Sequence, residues 1–99
     1  MNSIHYDVIL FTKEPDKAVS KINELITDNK ETLFKSLPYD KYITDKRTYK
    51  IVSNYEGARG YRYFEAYIDK SIDQETIEYC ILPFCMPIPN NRKERIHNL

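Results

Sequence analysis

Four consecutive apolar residues, Val8-Ile9-Leu10-Phe11, stand just ahead of a proline-led helical pattern, and this pairing constrains the fold more than any other feature. A run with no polar residue cannot turn one side to water. It suits a strand covered on both faces, central or parallel in its sheet. Ile4–Phe11 therefore reads as a strand. Pro15 suits the first helical position, with Glu14 and Asp16 beside it where the helix dipole favours acids. Ala18, Val19, Ile22, Leu25 and Ile26 then form one apolar stripe at the helical period, while Lys17, Lys21, Asn23 and Glu24 fall off it.

Asp28-Asn29-Lys30 breaks the helix. Glu31–Leu37 is expected to form a short second helical turn, with Leu33, Phe34 and Leu37 inward and Pro38 ending it. Tyr39–Lys46 reads as a polar connection and Thr48–Ser53 as a strand. Asn54–Gly60 is a loop bracketed by Gly57 and Gly60, the 2 glycines of the chain. Tyr61–Asp69 reads as a strand with Tyr61, Tyr63, Glu65, Tyr67 and Asp69 on one face and Arg62, Phe64, Ala66 and Ile68 on the other. Ser71-Ile72-Asp73-Gln74 has the form of a capping box and opens a short helix with Ile72, Ile77, Cys80 and Ile81 inward, stopped by Pro83. The expected fold is α/β or α+β: a small mixed sheet of three or more strands with two main helices, in the order strand-helix-strand-strand-helix. Residues 1–89 make one domain and 90–99 a polar tail expected to fray. The strand order stays open, since a ferredoxin-like antiparallel sheet would use nearly the same elements.

A chain of 99 residues has room for one domain. Its 15 Lys and Arg balance 15 Asp and Glu, so no global field draws it to nucleic acid or membrane, and any such site must be a local patch. No apolar run approaches the roughly 20 residues that span a bilayer, and the first residues do not read as an export signal. The expected compartment is the cytoplasm. Cys80 and Cys85 match neither a redox pair nor half of a zinc site and read as packing thiols. No metal and no cofactor is expected. His5 and His97, at opposite ends, read as structural or solvated. Glu75 and Glu78 lie one helical turn apart and read as a solvated helix face.

Arg59-Gly60-Tyr61-Arg62-Tyr63-Phe64-Glu65-Ala66 resembles the aromatic strand motif of RNA-recognition domains. There, a basic residue meets phosphate and alternating aromatics on an open sheet stack on bases. Arg59, Gly60, Tyr61 and Tyr63 fit, whereas Arg62 replaces a small residue and Ala66 the last aromatic. The partner motif on the first strand is missing. The residues this resemblance offers for nucleic-acid binding are Arg59, Tyr61, Arg62 and Tyr63.

The same segment, continued to Asp69, also resembles the acidic strand of phage terminase and helicase-like P-loop ATPases. That resemblance implies a small phage or mobile-element protein, with Asp69 where the family holds magnesium. Two departures are plain: no G-x-x-x-x-G-K-[ST] occurs, and Lys70 stands where the catalytic Glu belongs. ATP hydrolysis is therefore not expected, and Asp69 reads as a strand-end carboxylate pairing with Lys70 or capping a turn. The chain has nine Tyr, four Phe and no Trp, and Tyr39, Tyr42, Tyr49 and Tyr55 gather around one strand. Tyr is enriched at interfaces, so these four are candidate interface residues.

Three functional expectations follow, in order. The first is a non-enzymatic accessory or regulatory protein that binds a partner protein or itself. The second is a nucleic-acid-binding module using the Arg/Tyr strand, helped by Arg92, Lys93 and Arg95. The third is a small enzyme with a site near Asp69.

Overall fold

Val8 to Phe11 do lie in a strand covered on both faces: all four are buried at the centre of a mixed six-stranded sheet. The computed structural model describes residues 6–37, 40–55, 63–81 and 96–99. In chain order the elements are β1 (Tyr6–Phe11), α1 (Pro15–Asp28), β2 (Leu33–Leu37), β3 (Lys41–Thr44), β4 (Arg47–Val52), β5 (Glu65–Ile68), α2 (Gln74–Thr76) and β6 (Ile96–Asn98). Helix α2 widens into a π-helical stretch over Ile77–Ile81. The sheet order is β2-β3-β4-β1-β5-β6. Strand β1 runs parallel to both neighbours, β5 runs parallel to β6, and β2-β3-β4 is an antiparallel meander.

The period-2 alternation of β1 divides the core. Val8 and Leu10 join Tyr49, Ile51, Tyr67 and the α1 residues Ala18 and Ile22 on one side. Ile9 and Phe11 join Val52, Ala66, Ile68, Tyr63 and the α2-side residues Ile72 and Ile81 on the other. The chain leaves β1 through α1 and returns to β4; it leaves β5 past α2 and returns to β6. These excursions move in opposite directions along the sheet. Right-handed crossovers then put the helices on opposite faces, as observed.

Helix α1 ends in a Schellman motif. Lys30 takes a left-handed backbone at φ 52°, its N–H donates to Thr27 O, and Glu31 N–H donates to Ile26 O. This exit redirects the chain, and Glu31–Leu37 corrects the sequence reading: Leu33–Leu37 is a strand, not a helical turn. Leu33, Phe34 and Leu37 have helical spacing, yet all three are exposed, so their periodicity is not that of a core. Tyr39–Lys46, read as a connection, contains β3 over Lys41–Thr44. Two further readings change. Helix α2 is capped at Asp73 rather than Ser71, with no side-chain cap bond. Ile96–Asn98, placed in a frayed tail, pairs with β5 as the edge strand β6.

Candidate functional site

The crossovers that carry α1 and α2 diverge between β1 and β5. In open α/β sheets that topological switch point is where a crevice forms at the strands' C-terminal ends. Thr12 follows β1 and Asp69 follows β5, and both are buried. Thr12 Oγ1 donates to Asp69 Oδ2 at 2.6 Å and accepts from the Glu14 N–H at 3.0 Å. Asp69 Oδ1 accepts from the Ser71 N–H at 2.9 Å, and Lys17 Nζ of α1 lies 3.5 Å from Oδ2. The Ser71 N–H, then the Thr12 hydroxyl, hold the carboxyl down at about 2 against the opposing effect of burial. An acid this strong with both oxygens engaged is no general acid or base near neutrality. Asp69 caps its turn and ties β1, β5 and α1 together. Among the described residues no group of three His, Cys, Asp or Glu could hold a metal.

Tyr55 closes the same end. Its ring stands edge-on to Phe11, with centroids 6.4 Å apart, and Lys13 Nζ lies 5.7 Å from its centroid. Among the described residues no group meets its buried hydroxyl with full hydrogen-bonding geometry, and the Lys13 backbone N–H is the one that approaches it. Burial first, then the charge of Asp69, raise its pKa, and the Lys13 backbone N–H only partly opposes them.

A second polar cluster sits where α1 ends. Glu31 Oε2 accepts from Arg47 and from the Tyr49 hydroxyl, each at 2.7 Å, and Oε1 accepts from Thr44 Oγ1 at 2.5 Å. Thr44 Oγ1 also accepts from the Lys46 and Arg47 N–H groups, fixing the β3–β4 turn. Burial is the main cause that raises the Tyr49 phenol far above its usual range. The carboxylate has donors on both oxygens, so this cluster is a clamp between α1 and the hairpin. At the far side of the sheet His97 Nε2 meets Glu65 Oε2 at 2.7 Å and stacks on Tyr67 at 4.7 Å. A shallow groove of about 290 Å³ nearby is lined by Lys17, Ser20, Lys21, Glu24 and Leu99.

Among the described residues, exposed apolar side chains concentrate on the β2-β3-β4 half of the sheet. The registers build two cross-strand rows on the face opposite α1. One row is Lys35, Ile43, Thr48 and Asp7; the other is Leu37, Lys41 and Lys50, and it continues into the core residue Ile9. Helix α2 lies on this side of the sheet, but its residues pack with the β1, β5 and β6 residues and with Val52 at the end of β4. Lys41 and Lys50 are opposite each other in the register, and both are half-buried. Strand β2 forms the sheet edge. Its Leu33 is 44%, Phe34 67% and Leu37 40% exposed. Phe34 is the extra residue of a bulge, since Leu33 opposes Thr44 and Lys35 opposes the next residue, Ile43.

Of the residues singled out in the sequence, the described ones do not converge here. Arg59, Tyr61 and Arg62 of the nucleic-acid patch, and Tyr39 of the interface set, lie outside the described residues. Tyr63 is 1% exposed, stands edge-on to Phe11 and donates its hydroxyl to Ile81 O. Its ring belongs to the core and presents no face for stacking. Tyr42 and Tyr49 are also core residues, so they do not form an exposed aromatic surface; Tyr55 is half-buried at the crevice. Sequence reasoning missed Lys35, Leu37, Lys41 and Ile43. The alternation Lys41-Tyr42-Ile43-Thr44 carried a strand signal that the polar composition of its surroundings obscured.

Comparison with protein-family models, with curated proteins and with solved structures found no match. The fold defines a small α/β protein with a mixed six-stranded sheet. No helix among the described residues is long and apolar enough to cross a membrane.

Proposed function

We propose that this chain is a non-enzymatic accessory or regulatory protein that works by binding a protein, another chain or its own kind, on the β2-β3-β4 half of its sheet. One observation carries this reading. Of the four large hydrophobic side chains exposed among the described residues, Leu33, Phe34 and Leu37 lie on β2, and only Tyr79 lies elsewhere. Concentrated apolar exposure beside a sheet edge is a mark of an interaction surface. The enzymatic alternative has weaker support, because Asp69 is locked by Thr12, Lys17 and Ser71. The nucleic-acid alternative loses Tyr63 as a stacking residue.

Site-specific photo-cross-linking tests the reading. A photoreactive residue replaces Leu37 in one variant and the exposed α1 residue Ser20 in another, both in the full chain in its native cells. The expected result is a discrete cross-linked protein from position 37 and none from position 20. Equal or absent products from both positions would overturn it.

A further inference from the structure

We draw no further inference here: the strongest candidate, the β2 sheet edge with its exposed Leu33, Phe34 and Leu37, belongs to the binding surface already described, and nothing among the described residues shows which partner covers it.

Discussion

Thr12 and Asp69 stand 57 residues apart in the chain, and the Thr12 hydroxyl donates a 2.6 Å hydrogen bond to the Asp69 carboxylate across the ends of adjacent parallel strands. This bond closes the point at which the crossovers through α1 and α2 diverge. Replacing Asp69 with Asn should lower stability at neutral pH by about 1–2 kcal/mol. The carboxyl is held down at about 2, so its contribution is present above the unfolded value near 4. The contribution fades as pH falls toward 2. Chemical denaturation of wild type and Asp69→Asn at pH 7 and near pH 2 checks this: the gap between them should narrow in acid.

Glu31 is the other buried carboxylate with a structural task, and Arg47 is its charge partner at 2.7 Å. Arg47→Met should destabilise the chain by about 3 kcal/mol, because it leaves a buried charge without its counterion. Pairing it with Glu31→Leu should cost less than the single change. A double-mutant cycle by urea denaturation measures the difference.

Lys30 holds a left-handed backbone at φ 52° that most residues adopt only at a cost. Lys30→Gly should therefore raise stability by about 1 kcal/mol, seen as a higher melting temperature without loss of helical signal.

Tyr63 donates to Ile81 O from within the core. Tyr63→Phe should cost about 1 kcal/mol, the net worth of one hydrogen bond plus an acceptor left unpaired. It should leave any affinity for single-stranded RNA unchanged, which separates a packing role from a stacking one by thermal melting and anisotropy together.

The parts of the fold legible in the sequence were those whose pattern came from burial. Val8–Phe11 and the Ala18–Ile26 stripe face real core, so their periodicity reports their elements directly. The β2 reading failed because Leu33, Phe34 and Leu37 are apolar without being buried, so their spacing reported an outer surface as if it were an inner one. Strand β6 was invisible because it is short, polar at His97 and Asn98, and formed by pairing with β5 rather than by its own pattern. The tyrosines misled in the opposite sense. Tyr49 buries its ring completely because Glu31 and Arg47 satisfy its hydroxyl, a partnership across 18 residues that no local window contains. The candidate surface was illegible for a related reason: Lys35, Lys41, Leu37 and Ile43 come together only through cross-strand register.

The most direct measurement of the central claim is NMR relaxation of the Leu33 and Leu37 side-chain methyls by a soluble paramagnetic agent, in the dilute purified chain and in an extract of its native cells. If the β2 edge is the contact surface, these methyls should relax strongly in the purified chain and be shielded in the extract, while the outer α1 surface relaxes alike in both. Equal, strong relaxation of Leu33 and Leu37 in both samples would mean that the edge stays exposed to solvent, and would contradict the account.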